Sequence, residues 1–180
     1  MFSVVLDTCV LYPAYLRDTL LRMAAAELYR PLWSARILAE LADNLPVGVD
    51  PMPIVSRMRS GFPDAEVTGF EALIAAMTND PKDRHVVAAA VRSTASGIVT
   101  FNLDDFPPES TDPYDIEVMH PDAFLLNQLD LAPGVALDVL RRQVAGYRRP
   151  EMDLFALAAA LERSGCPDAA EELRLLVETA

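Results

Sequence analysis

The chain has 180 residues, of which 52% are hydrophobic and 23% charged, so it has ample material for a packed core and is not of disordered composition. Its formal net charge of −12 excludes a protein that holds nucleic acid by bulk charge alone. Any polyanionic ligand would need a local reversal of sign, which a bound divalent metal can provide.

The element pattern is read from the N-terminus. Residues 2–6 form a short apolar run with adjacent valines, ended by Asp7, and predict a buried parallel strand. Pro13 and Asp18 flank the start of a helix to about Leu28, with Leu20, Leu21, Ala24 and Leu28 at helical spacing. "PLWS" is extended, and Ser34 is placed to cap "ARILAELADNL", whose Ile37, Leu38, Leu41 and Leu45 share one face. A proline-rich loop over 46–52 leads to a helix from about Ile54 to Ser60. "DAEVTGF" predicts a weaker strand and turn, and "FEALIAAM" a helix.

"NDPKD" is a turn that opens a helix from Arg84 to about Ser96, and "GIVTF" is the next buried strand. "IEVM" follows as a strand and "PDAFLLNQL" as a helix. From about residue 130 strands cease, and two or three amphipathic helices follow, with Gly165 and Pro167 marking a stop and restart. Alternating strands and helices predict an α/β fold: a parallel central sheet between helical layers, with a C-terminal helical appendage. The expected division is residues 1–128 and 129–180.

Two cysteines, Cys9 and Cys166, lie far apart with no metal-ligand spacing, so no disulfide framework is expected. No signal peptide or run of membrane-spanning length is visible, which makes the chain an expected cytoplasmic protein with no membrane partner.

The acids carry the chemistry. Asp7 ends the first strand, and in an open parallel sheet ligands bind beyond the carboxyl ends of strands. Capping of the next turn is the ordinary alternative. Asn102, Asp104 and Asp105 follow the "GIVTF" strand, and converge on Asp7 if the two strands are neighbours. Glu40 sits among Ile37, Leu38 and Leu41, although an amphipathic helix commonly has a polar boundary there. Asp83 opens a helix, where a carboxylate is favoured by the free N–H groups, and Asp80 competes for that role. His85 and His120 are both near turns, where structural histidines are common. Clustered carboxylates raise one another's pKa values, and Mg²⁺ or Mn²⁺, which prefer hard oxygen ligands, resolve that conflict.

Taken in order, "VVLDTCVLYP", "WSARILAELADNL", "NDPKDRHVVAAAV" and "GIVTFNLDDFP" resemble the PIN-domain ribonucleases over about residues 1–128, in particular the bacterial branch with VapC-type toxins and a C-terminal helical extension. The resemblance implies a PIN-like three-layer fold and a metal-dependent endoribonuclease. It places metal ligands at Asp7, Glu40 and Asp83, with Asp105 favoured over Asp104 as the fourth acid. Asn102 stands where many relatives carry an acid, and becomes a neutral ligand or water-orienting group. Thr8 is a second orienting candidate. The implied cofactor is Mg²⁺ or Mn²⁺. The implied partners are RNA, a cognate antitoxin protein and, as an option, a second copy of the chain. The alternative is a non-catalytic PIN-like module that binds RNA or protein. A haloacid-dehalogenase-type site would want a second acid two residues after Asp7, where Cys9 stands.

Overall fold

The computed structural model describes residues 2–179. In chain order it contains β1 (Ser3–Leu6), α1 (Thr8–Leu11), α2 (Ala14–Ala25), β2 (Arg30–Ser34), α3 (Ala35–Asn44), α4 (Met52–Gly61) and β3 (Glu66–Val67). There follow α5 (Arg84–Ser93), β4 (Gly97–Val99), α6 (Pro108–Thr111), β5 (Glu117–Met119), α7 (Pro121–Leu131), α8 (Pro133–Gly146), α9 (Leu154–Arg163) and α10 (Pro167–Thr179). Short 3-10 turns cover Glu71–Ala76, Leu103–Asp105 and Asp112–Tyr114.

The strands form one parallel sheet of order β3-β2-β1-β4-β5. The chain therefore winds outward from β1 in one direction through β2 and β3, and in the other through β4 and β5. The topological switch point lies between β1 and β4, where Val5 pairs with Ile98. Val4, Val5, Leu6, Ile98 and Val99 are fully buried, as a central strand covered on both faces requires. Gly97 is needed because a Cβ there would lie 2.7 Å from the Glu117 carbonyl oxygen on β5.

Each helix of this unit has a sequence reason. Ser34 ends β2 and caps α3 by accepting from Ile37 N at 3.2 Å. Ile37, Leu38 and Leu41 then bury one face. In α5, His85 through Ala90 are all buried, because three alanines let the helix approach the sheet closely. Thr94 ends it in the left-handed conformation, at φ 52°.

The structure departs from the sequence reading in four places. The chain after β1 forms α1 at once, because Asp7 accepts from Thr8 N and starts the turn. The first long helix ends at Ala25, with Glu27 left-handed at φ 61°. "FEALIAAM" folds as a 3-10 turn over Glu71–Ala76: only the flanking Phe70 and Met77 are buried, and no residue of the turn itself anchors an α-helical face. The helix expected to reach Ser96 stops at Ser93.

The chain forms two compact units that are not separated by one cut. The sheet unit takes the residues up to Tyr12 and Tyr29–His120, and the second takes Pro13–Leu28 and Pro121–Ala180. The α2 helix is thus grouped with the C-terminal helices, and the second unit begins at Pro121, inside the span that the sequence reading gave to the first domain. A polar chain crosses the interior of the second unit. Thr19 Oγ1 donates to Gln143 Oε1 at 3.0 Å, Gln143 Nε2 donates to the Tyr147 hydroxyl at 3.0 Å, and that hydroxyl donates to Asp18 Oδ2 at 2.5 Å. Burial pushes the Tyr147 phenol up, and the bond to Asp18 adds to the effect. Asp122 on α7 accepts from Asp168 N and Ala169 N, so it satisfies the first turn of α10 from another helix. No single helix among the described residues is long and apolar enough to cross a membrane.

Two substitutions test this account. Gly97→Ala should cost about 1–3 kcal/mol in urea unfolding, because the added methyl meets backbone on the neighbouring strand. Asp122→Ala should cost about 1–2 kcal/mol, with amide exchange accelerated first at the start of α10.

Candidate metal centre at the sheet edge

All strands run in the same direction, so their carboxyl ends share one edge. Asp7 follows β1 there, Asn102 follows β4, Glu40 lies on the helix after β2, and Asp83 opens the helix that returns to β4. Asp7, Glu40, Asp83 and Asn102 line one pocket of about 480 Å³, together with Thr8, Cys9, Tyr12 and Asn44.

Asp7 is held rigidly and is only 4% exposed. Its Oδ1 accepts from Thr8 N at 2.7 Å, and its Oδ2 accepts from Thr100 Oγ1 at 2.8 Å and from the Cys9 thiol at 3.2 Å. Thr100 Oγ1 in turn accepts from Asn102 N at 3.1 Å, and Cys9 Sγ accepts from Phe101 N at 3.3 Å. The capping role and the site role therefore coexist in one carboxylate. Burial pushes the Cys9 thiol up to about 12, with the Asp7 charge adding to the shift, so it stays protonated and donates to Asp7.

Glu40 is held by two donors. Thr8 Oγ1 donates to its Oε2 at 3.0 Å and Arg36 Nε to its Oε1 at 3.1 Å. His85 Nε2 lies 3.2 Å from the same Oε1 without forming a hydrogen bond to it. Burial pushes the His85 imidazole down against the pull of Glu40, which keeps it neutral.

Asp83 does not serve as a cap. Asp80 Oδ1 accepts from Lys82 N at 3.0 Å in the turn before the helix, and Asp83 makes no side-chain capping bond. The Asp83 side chain is 14% exposed and its Oδ2 is buried without a hydrogen-bond partner. Burial pushes its carboxyl up to about 7, and the Asp7 charge adds to this; Lys82 opposes the shift and Asp105 reinforces it. A buried carboxylate oxygen without a donor, among other acids, is the electrostatic signature of a cation site.

Of the adjacent aspartates, Asp105 faces this cluster and bonds Lys82 Nζ at 3.0 Å. Asp104 lines a separate depression with Leu103, Phe106 and Val118. His120 packs edge-on against Phe101, with centroids 5.1 Å apart, and stands outside the pocket lining.

The donor set fits a hard divalent cation: carboxylate oxygens, with one left unsatisfied. Among the described residues no three acids stand close enough to form a complete ligand set. Mg²⁺ does not require one, because it commonly binds through one or two carboxylates and keeps several waters. Asp7, Glu40, Asp83 and Asp105 are the residues that could hold it.

Sequence reasoning did not single out Thr100, Tyr12, Asn44 or the supporting role of Cys9. Tyr12 and Asn44 each stand four residues after Thr8 and Glu40, a helical spacing that would have indicated a shared face. Thr100 carried no such signal.

The shift at Asp83 makes stability depend on pH in metal-free protein. The folded carboxyl holds its proton to about pH 7, whereas the unfolded one loses it near 3.8, so this group lowers stability as pH rises between those values. In EDTA, Asp83→Asn should melt higher than wild type at pH 8, and the gain should vanish below about pH 4. Equal melting temperatures at pH 8 would contradict the assignment. Both thiols are pushed up to about 12, chiefly by burial, so neither should react with iodoacetamide at pH 8 until the protein is unfolded.

Comparison with known proteins agrees with this geometry. The PIN domain family matches residues 3–104, and the VapC50 C-terminal domain matches residues 121–175. A relative from Mycobacterium tuberculosis (strain ATCC 25618 / H37Rv), named "Putative ribonuclease VapC50", is 44% identical over 116 residues, covering 64% of this chain and 69% of the relative. No solved structure matches. The chain belongs to the PIN-domain family, and it carries the VapC50-type C-terminal domain after its sheet.

Proposed function

We propose that the chain is a divalent-metal-dependent endoribonuclease of the VapC type, which hydrolyses RNA phosphodiesters as the toxin of a toxin–antitoxin pair in the cytoplasm. The observation that carries the reading is Asp83: a buried carboxylate oxygen with no hydrogen-bond donor, on a carboxyl pushed up to about 7 chiefly by burial, beside Asp7 at the switch point. Family membership and the name of the mycobacterial relative support the substrate class.

When bound by Asp7, Glu40, Asp83 and Asp105, Mg²⁺ or Mn²⁺ would supply charge neutralisation at the phosphate and a more acidic water. The chain's own groups supply position. Thr100 and Cys9 fix Asp7, and Thr8 fixes Glu40, so these carboxylates need not reorganise during the reaction. Asn102 is neutral where an acid would repel the substrate; its amide can donate to a phosphate oxygen or orient the attacking water. Water rather than a side chain is the nucleophile: the Cys9 thiol at the pocket is held protonated and is a poor one. Attack breaks the bond from phosphorus to the leaving oxygen, which takes up a proton. No covalent enzyme intermediate forms.

Incubation of a mixed RNA pool with Mn²⁺ or Mg²⁺ tests this. Wild type should cut and EDTA should stop it, while Asp7→Asn and Asp83→Asn should each lose about a hundred-fold or more in rate. Cutting that survives both substitutions would overturn the site. Metal binding without cleavage of any RNA in the pool would favour a non-catalytic binding module.

A further inference from the structure

The chain has one lysine, Lys82, and it sits on the acidic edge. Its Nζ lies 3.0 Å from Asp105 Oδ2 and 3.8 Å from Asp83 Oδ2, so one ammonium spans two of the acids at which a cation would be held. This placement is built into the backbone. Lys82 N donates to Asp80 Oδ1 at 3.0 Å, and Asp80 N donates to the Asp105 carbonyl at 3.2 Å, which ties the turn to the segment after β4. Arg36 adds a third tie by donating to the Lys82 carbonyl at 3.4 Å. The side chain itself remains 64% exposed at the rim. A surface ion pair contributes little to folding, so the arrangement is better explained by what the ammonium does at the site.

We infer that Lys82 is a tethered counter-ion: it pairs with Asp105 beside Asp83, yields this edge to a divalent cation, and then pairs with a phosphate of the substrate strand. This rests on the metal-dependent reading above. The ammonium and a divalent ion would draw on the same two carboxylates and would repel each other, so both could not keep full hold of Asp83 and Asp105. A displaced ammonium is a compact charge with three donors on a flexible four-carbon stem, suited to a phosphate oxygen. In a chain of net charge −12, it is also the one lysine placed to meet a polyanion at this edge. The consequence is thermodynamic coupling. Phosphate takes the ammonium away from the acids and frees them for metal, so substrate and metal each strengthen the binding of the other.

The test is Mn²⁺ titration followed by electron paramagnetic resonance on full-length protein, with and without a saturating single-stranded DNA 12-mer shown to remain intact. Lys82→Met should bind Mn²⁺ on the order of five-fold more tightly than wild type in the absence of oligonucleotide. The 12-mer should tighten Mn²⁺ binding to wild type and much less so to Lys82→Met. Lys82→Arg, which keeps the charge, should resemble wild type in both measurements. Equal Mn²⁺ affinity in wild type and Lys82→Met, or equal tightening by the 12-mer, overturns the role of Lys82 and leaves the metal reading intact. Absence of Mn²⁺ binding in wild type overturns both.

Discussion

The gathering of buried carboxylates at the carboxyl edge of a parallel sheet is the constraint on which this structure turns. Parallel strands bring their ends to one side, and the order β3-β2-β1-β4-β5 opens a gap between β1 and β4 at that side. Asp7 and Asn102 arrive there on the strands, and Asp83 and Glu40 arrive on helices. Taken alone, the cluster is unfavourable. The chain handles it unevenly. Asp7 is satisfied by three donors and Glu40 by two, so the strain concentrates on Asp83. One Asp83 oxygen is left without a hydrogen-bond donor, next to a turn that Asp80 closes by accepting from Lys82 N.

That division of labour explains what was legible in the sequence. The buried strands were visible as short apolar runs rich in β-branched residues, and an acid at the end of such a run has a position even before the fold is known. Ser34 announced α3 by its type and place. What the sequence could not separate was an acid that caps from an acid that binds. Asp7 caps its turn and also lines the pocket, whereas Asp83 lines the pocket and makes no side-chain capping bond. The choice between Asp104 and Asp105 depended on the 3-10 turn over Leu103–Asp105, which sends successive side chains in different directions. Only the turn geometry decides which acid faces Asp83.

Long-range partners were the illegible part. Thr100 meets Asp7 across 93 positions of sequence, and Thr8 meets Glu40 across 32. A lone hydroxyl residue after a strand gives no hint of such a partner. The grouping of α2 with the C-terminal helices was equally hidden, since it depends on contacts such as Thr19 with Gln143, which are 124 positions apart. Periodicity identified α2 as a helix and said nothing of what its apolar face would cover.

The overall charge then takes on a different meaning. An excess of acids appears incompatible with a polyanionic substrate if charge is counted over the whole chain. Counted at the site, it is what a metal-dependent hydrolase requires: acids near the metal, neutral amide and hydroxyl groups toward the phosphate, and few competing cations. Asn102 fits that pattern, because one more fixed negative charge beside the phosphate would add repulsion without adding hold on Asp7. Bulk acidity also weakens non-specific attraction to nucleic acid, which falls with the number of phosphates that basic side chains neutralise. On the proposed metal-dependent reading, productive binding depends on cations held at one edge. The acidic composition is thus part of the means by which such a site confines its action to strands seated in it.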